Sequence, residues 1–425
     1  MTGPRDLRGI LESYRQSGKL TTLTGRLDPY LEAAARVREA EPSPVLLERL
    51  GVAANLLSTR DELAAHLGVD PTGFLPELSR ILAGKSAGLR RVGGCFGRHE
   101  LAADRLERLP ALTYYQGDGG PYVTAGVWIV RDPVNGRNLS YHRMMLMHGR
   151  RAAVRVVERR GTDTALRNSG GRLEAAVCIG APAHVLFAAS LSPAPGVDEL
   201  QLAAKFGAVE LVRCKTVDLE VPAGCEMVIE GAFTGEKAPE GPFVDITGTM
   251  DFVREQPVFE VSRVACRKDP VHYAIVPGRA DHRVLMGIPK ELDIYRGVSA
   301  VCDCLDVAIT SGGCCWLHAV VRIRKRRGAD GKKALHAAFA AHRSLKGCVV
   351  VDEDIDPRDP AQVEWALATR FQADKDLLVL KGMPSSSLDP SARHVKGRGS
   401  VGAKLGMDAT VKSGLDRSLF RIVTA

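Results

Sequence analysis

From about residue 109 to residue 276 the apolar residues of this chain stop recurring at helical spacing. They alternate instead, in short runs separated by Gly, Pro and Asp. A period of two puts successive side chains on opposite faces of an extended backbone, so each run reads as a strand with a face to bury. The runs cover residues 122–130, 152–157, 209–221, 227–229, 259–264 and 272–276. Strands this numerous and this short, joined by turns, predict a mostly antiparallel barrel or curled sheet with a few inserted helices.

The flanks read differently. Residues 1–108 carry helices with a little strand: Ser58-Thr-Arg-Asp61 has capping-box spacing ahead of Leu63 and Leu67, Gly68 closes that helix, and a second runs over 71–83. Beyond about residue 285, strand and helix alternate. Strands are expected over 318–323, 348–352 and 377–380, with helices over 332–342 and from Asp359-Pro360 to about 371, as an α/β unit with parallel strands. The chain is thus of mixed α/β (α+β) class, in three domains: 1–108, 109–285 and 286–425. No fixed-period repeat is present.

Composition narrows the class of protein. Of 425 residues, 45% are hydrophobic and 25% charged, an average globular mixture that excludes disorder, collagen and coiled coil. The 43 glycines, about a tenth of the chain, imply many tight turns or close backbone approaches. The longest apolar stretch, 176–191, is interrupted by Gly180, Pro182 and His184 and cannot span a bilayer. The N-terminal residues carry acids and no apolar core of a signal peptide, so a cytoplasmic protein without membrane association is expected. Ten cysteines then read as reduced structural thiols; Cys302, Cys304, Cys314 and Cys315 match no common zinc spacing. The formal charge of +8 is mild, aromatics are 5%, and the basic runs at 155–160 and 322–327 lie at strand-like ends. These read as solvated faces, or as attraction for an anionic substrate or cofactor, with no nucleic acid partner.

Standard catalytic signatures are missing: there is no G-x-S-x-G elbow, no phosphate-binding G-x-x-x-x-G-K-[ST] loop and no H-E-x-x-H. Gly397-Arg-Gly399-Ser-Val-Gly402 follows a basic, strand-poor stretch and reads as a loop, not a dinucleotide fingerprint. Asp352-Glu-Asp354-Ile-Asp356 lies at a strand's carboxyl end, where it is either a polar helix entry or, less simply, a cation site.

Two segments carry more. Glu240-Gly-Pro-Phe-Val-Asp245 sets two carboxylates five residues apart around a Gly-Pro pair that forbids a helix, and Gly248 bends the chain again. Carboxylates held in a tight, partly buried turn can be driven to different protonation states, which suits general acid–base work. Solvated acids of a surface loop are the plain alternative. Asn138-Leu-Ser-Tyr-His-Arg143 follows the turn Asp132-Pro-Val-Asn-Gly136 and offers neutral oxygen ligands, with a planar guanidinium suited to a carboxylate.

Together these segments resemble the UbiD family of prenylated-flavin (de)carboxylases, in its compact bacterial and archaeal branch. Its paired patterns, N-x-[SG]-x-x-R and E-G-P-F-x-[ED], are met by Asn138, Ser140 and Arg143 and by residues 240–245. Further similar stretches lie at 195–199, 211–216, 287–291, 349–357, 363–371 and 386–391, so the resemblance spans about 120–411. It implies a split β-barrel flavin domain at the centre, an N-terminal α/β domain, and a C-terminal α/β domain that dimerises.

The resemblance also implies roles. Arg143 would orient the substrate carboxylate, Glu240 would hold Arg143, and Asp245 would be the proton donor, kept protonated by burial and by the charge of Glu240. Prenylated FMN would be contacted by Asn138, Ser140, Tyr141, His142, Arg143, Ser190, Leu191, Ser192, Pro193 and Glu199, with Ser190–Pro193 along the ring. A divalent ion, Mn²⁺ or Mg²⁺, would sit on Asn138, Glu158 and Glu199 against the flavin phosphate, with K⁺ nearby. The hard oxygens of that set favour those ions.

The implied reaction is reversible non-oxidative decarboxylation of an α,β-unsaturated or aromatic acid. The partners would be a small carboxylic acid substrate, a flavin prenyltransferase supplying the cofactor, and further copies of the chain in a homodimer or larger homo-oligomer. Two other readings stay open on the residues: a flavin-free scaffold that kept the fold, and an ordinary FMN reductase on a similar barrel.

Overall fold

The computed structural model describes residues 6–97, 99–395 and 399–420. It divides into two compact units, Met1–Pro71 with Arg80–Leu285, and Thr72–Ser79 with Met286–Ala425.

In the first unit a nine-stranded antiparallel sheet is built around one long pair, Met227–Glu240 and Arg254–Cys266, in register from Met227↔Cys266 to Glu240↔Arg254. The short strands expected at 227–229 and 259–264 are therefore the apolar halves of strands of 14 and 13 residues. The polar halves were invisible as strand because the register shifts between Phe233 and Lys237, around Gly235 at φ +85°, and the alternation breaks there. Leu173–Ile179, Val127–Asp132 and Gly136–Tyr141 follow on one side; Arg151–Val154, Met144–Leu146 and Tyr122–Val123 follow on the other. The run at 122–130 is split because Gly126 passes so close to Val177 that a Cβ would lie 2.6 Å from Cγ1. Likewise 209–221 divides into Val209–Arg213 and Glu220–Pro222.

Trp128, Phe233 and Phe259 fill the centre of the core, with ring centroids 5.5, 4.9 and 5.6 Å apart. Such aromatic pairs contribute about 1 kcal/mol each beyond area burial. His272–Tyr273 joins a different sheet, parallel to Val52–Ala54, whose other strands are Val45–Leu47 and Thr21–Leu23. Its partner is more than 200 residues away, so no local pattern could assign it.

The predicted capping box is displaced by one residue. Thr59 caps the helix Arg60–Leu67 and exchanges hydrogen bonds with Glu62, both 3.1 Å. Ser58 donates instead to Asp281, whose buried carboxylate also accepts from Leu56 N, Leu57 N and the Tyr273 hydroxyl.

The second unit holds a six-stranded mixed sheet, which corrects the expected parallel unit. His318–Arg324, Gly347–Asp352 and Gly399–Ala409 are parallel, while Asp303–Ile309 and Leu377–Pro384 run antiparallel at its sides. The connection from Ile309 to His318 is too short for a crossover and forces an antiparallel neighbour, whereas the helix Asp330–Ala341 supplies one before Gly347.

The acidic run is a helix entry tied by guanidinium groups. Arg370 pairs with Asp352 at 3.2 Å and Asp354 at 2.6 Å, and Arg417 reaches Asp352 at 3.2 Å. Of the G-x-G-x-x-G stretch, Gly397 and Arg398 lie outside the described residues; Gly399 opens a strand. The ten cysteines are all unbridged. Among the described residues no helix is long and apolar enough to cross a membrane.

Candidate active site

The strand Gly136–Tyr141 pairs with Val127–Asp132 and presents Asn138 and Ser140, with His142 beyond its end, at alternate positions. The His142 Nδ1 lies 3.0 Å from the carbonyl of Arg155, which can only accept, so the ring proton is assigned to Nδ1. Nε2 is then an acceptor for the hydroxyls of Thr162 at 2.8 Å and Ser140 at 2.9 Å, themselves 3.0 Å apart. Burial pushes the imidazole pKa down to about 4, so the ring stays neutral and its one Nε2 lone pair orders this hydroxyl pair.

At the Asn138 end lies a second buried polar group. Glu199, first residue of a short helix capped by Asp198, accepts from the backbone N of Leu139 at 2.9 Å. Burial raises its pKa to about 7. The Asn138 side chain lies against Gly161, where a Cβ would fall 1.7 Å from Oδ1. Glu199 is thus held on the backbone of the residue next to Asn138. Glu158 is not joined to them: its side chain is 69% exposed, and Arg155 at 3.7 Å is its ion-pair partner. Ser190 ends the helix Ala183–Ser190, and Leu191, Ser192 and Pro193 continue as extended, partly open chain. Tyr141 is tied to that helix by its hydroxyl, which donates to the carbonyl of Leu186 at 3.1 Å.

Five residues along, roughly 16 Å of extended chain from Asn138, stands Arg143. Its Nε and Nη2 donate to the two oxygens of fully buried Glu240, at 2.7 and 3.0 Å. The Tyr122 hydroxyl adds a bond to Glu240 at 3.2 Å, and the ring of Phe243 packs 4.7 Å from the guanidinium carbon. Nη1, unused by that fork, lies 3.7 Å from Asp245 Oδ2. Burial opposes the charge of Arg143, but Glu240, Asp245 and Asp251 outweigh it and raise its pKa.

The turn carrying the acids is built by close approaches. Gly241 has φ +99°, and Gly119 sits so near that a Cβ would lie 2.2 Å from the Gly241 carbonyl oxygen. Gly119 N donates to the Pro242 carbonyl at 2.8 Å. Asp245 Oδ1 accepts from Ile246 N at 2.6 Å, and a fifth of its side chain is exposed.

Two residues escaped the sequence reading. Asp251 reaches Arg143 at 3.3 Å and pairs with Arg254. His282 accepts from Gly278 N through Nδ1 at 3.0 Å; burial lowers its pKa while the charge of Asp245 opposes that shift. Asp251 lies six residues beyond Asp245, past the bend at Gly248, but His282 lies in a helix whose sequence carries no signal for it.

The site is thus a buried arginine held in a fork by one carboxylate and faced by a second, on an antiparallel sheet, and the chain's relatives are carboxy-lyases. Three family models match: the 3-octaprenyl-4-hydroxybenzoate carboxy-lyase N-terminal domain over residues 11–82, its Rift-related domain over 95–280 and its C-terminal domain over 283–409. The chain belongs to the UbiD family of carboxy-lyases.

It is 42% identical, over 89% of its length and 91% of the relative's, to anhydromevalonate phosphate decarboxylase of Methanothermobacter thermautotrophicus. The enzyme of that name from Aeropyrum pernix is 36% identical, over 94% and 92%. The UbiD-class enzyme HmfF from Pelotomaculum thermopropionicum, solved in complex with FMN, superposes with TM-score 0.93 at 35% identity, over 99% of this chain and 97% of that one.

Proposed function

We propose that the chain catalyses the reversible, non-oxidative decarboxylation of an α,β-unsaturated acid with prenylated FMN as cofactor, and that the acid is anhydromevalonate phosphate or a close analogue. The forked Arg143–Glu240 pair with Asp245 beside its unused nitrogen is the observation that carries this reading. The relatives' activity and near-complete overlap support the substrate, and the flavin-bound neighbours support the cofactor.

The residues fit the cofactor. Glu199 is a buried carboxylate with a backbone N–H as partner and, among the described residues, no cationic side chain paired with it, a costly arrangement that a bound cation would relieve. Asn138 and Glu199 would hold Mn²⁺ or Mg²⁺ against the flavin phosphate, with K⁺ close by; Glu158, out in solvent beside Arg155, is given no place in that set. Ser140, Tyr141, His142 and Ser190–Pro193 would line the flavin. Prenylated FMN supplies, when bound, the sink for the electron pair left as carbon dioxide departs.

The chain's own residues orient and protonate. Nε and Nη2 of Arg143 are spent on Glu240, which leaves Nη1 to grip the substrate carboxylate. Asp245 gives its proton to the carbon that loses carbon dioxide and takes it back in the reverse direction. The three segments 1–108, 109–285 and 286–425 would act as N-terminal, flavin-binding and dimerising domains of a cytoplasmic homo-oligomer, its cofactor supplied by a flavin prenyltransferase.

The test is protein co-produced with a flavin prenyltransferase, its retained small molecule identified by mass spectrometry. Its release of carbon dioxide from anhydromevalonate phosphate is then followed. Prenylated FMN and turnover are expected. Colourless protein would favour a scaffold, and unmodified FMN with NAD(P)H oxidation a reductase; either overturns the reading.

A further inference from the structure

Three guanidinium groups gather at the catalytic end of the strand, and they are unequally partnered. Arg143 has Glu240, and Arg254 has Asp251, which also reaches Arg143 at 3.3 Å. Arg155 has neither. Its side chain is 15% exposed, its Nη1 donates to the adjacent carbonyl of Val156 at 2.9 Å, and the acid near it is Glu158, 3.7 Å away and mostly in solvent.

Backbone bonds hold Arg155 in place: its N donates to the Arg143 carbonyl at 3.1 Å, and its carbonyl accepts from His142. Val156 N donates to Gln256 Oε1 at 2.9 Å, which brings the strand carrying Arg254 alongside. Glu240, Asp251 and Asp245, the last 3.7 Å from Arg143, answer the charges of Arg143 and Arg254, and none of these three carboxylates pairs with Arg155. A guanidinium mostly withdrawn from water, beside two others and with its own acid out in solvent, favours an anion as a further partner.

We propose that Arg155, flanked by Arg254 and Arg143, is the seat for a phosphate monoester of the substrate, so that the acid is bound by its carboxylate at Arg143 and by its phosphate at Arg155. This rests on the reading above that the substrate carries a phosphate. A guanidinium with open N–H groups suits a phosphate dianion, because its planar fork donates two parallel charge-assisted bonds. Asp251 is the positioning residue: it screens Arg143 from Arg254 and holds the latter in place. The seat lies at the Arg143 end of the strand, whereas the hydroxyls of Ser140 and Thr162, Asn138 and Glu199 form the other end, where the flavin phosphate is placed.

The experiment compares wild-type protein with Arg155→Met and Arg155→Lys. With methyl phosphate as probe, calorimetry on the flavin-loaded protein should show affinity lowered at least ~10-fold in Arg155→Met and less in Arg155→Lys, the loss expected for a charge-assisted bond. In steady-state assays KM for the phosphorylated acid should rise ~10- to 100-fold while kcat falls far less. Flavin content should stay at the wild-type level.

Unchanged methyl phosphate affinity in both variants overturns the seat. Lost flavin with an unchanged KM gives Arg155 to the cofactor and also overturns it. If wild-type protein does not turn over the phosphorylated acid, the proposed function fails while methyl phosphate binding still decides the seat.

Discussion

Arg143 and Glu240, 97 residues apart, meet through two parallel hydrogen bonds of 2.7 and 3.0 Å in a site where Glu240 has no exposed surface. A fork of this kind fixes the guanidinium plane, so the direction in which the third nitrogen points is set by the fold and not by the substrate. Glu240→Gln keeps the shape and removes the charge. Turnover is expected to fall by at least ~10²-fold, with a loss of about 3 kcal/mol in stability as a buried cation loses its partner. Steady-state rates and denaturant unfolding check both; near-wild-type turnover would show that the pair does not orient the substrate.

Asp245→Asn should leave flavin binding intact and cut solvent-deuterium exchange into product by ~10²- to 10⁴-fold, the usual contribution of a positioned acid. Asp245→Glu should recover part of the rate. Exchange followed by NMR reads the result, and an Asn variant as fast as wild type would remove Asp245 from the proton transfer.

If Asn138 and Glu199 hold a divalent ion, Mn²⁺ should raise the melting temperature of wild-type protein and leave that of Glu199→Gln unmoved. The stabilisation follows RT ln(1 + [L]/Kd), so it should grow with ion concentration. An equal shift in both proteins would place the ion elsewhere.

Glu62, a partner in the capping box, has its pKa pushed up to about 7 by burial, with the charge of Asp281 adding to it. A carboxyl with a raised folded pKa contributes stability below its unfolded value near 4.5 and loses it as pH rises through 7. Glu62→Gln, which can keep the cap, should therefore gain on wild type as pH climbs from 5 to 8. The gain should be on the order of 1 kcal/mol once solvent screening of this partly exposed group is allowed for. Melting temperatures across that range test it; parallel curves for the two proteins would exclude the effect.

Gly119→Ala should damage the site from outside it. A Cβ there would lie 2.2 Å from the Gly241 carbonyl oxygen and must displace the turn between Glu240 and Asp245. Activity should fall by ~10-fold or more, the scale of a small misplacement of reacting groups, while the far-UV circular dichroism stays native. Unchanged kcat would mean that the turn tolerates the shift.

How much of this was legible in the chain can be judged residue by residue. The Gly-Pro pair and alternating runs announced the acid turn and the sheet, and Asp359 was readable as a cap because capping is local. The box at Thr59 was read one residue early, because Ser58 and Thr59 are both competent caps and a distant carboxylate, Asp281, claims Ser58. The mixed C-terminal sheet was misread as parallel because strand direction follows from loop reach and crossovers, not from composition.

The sequence by itself singled out two segments, 138–143 and 240–245, because turn-forming pairs and residue types act over a few positions, and the fold joins them through Arg143 and Glu240. Only the tertiary structure decided what those segments face. Asp251 beside Arg143, Glu199 beneath Leu139 and His282 near Asp245 are contacts between residues distant along the chain. Such contacts are fixed by sheet register and by the burial of whole strands, and a charge becomes chemically consequential only when that burial takes water away from it.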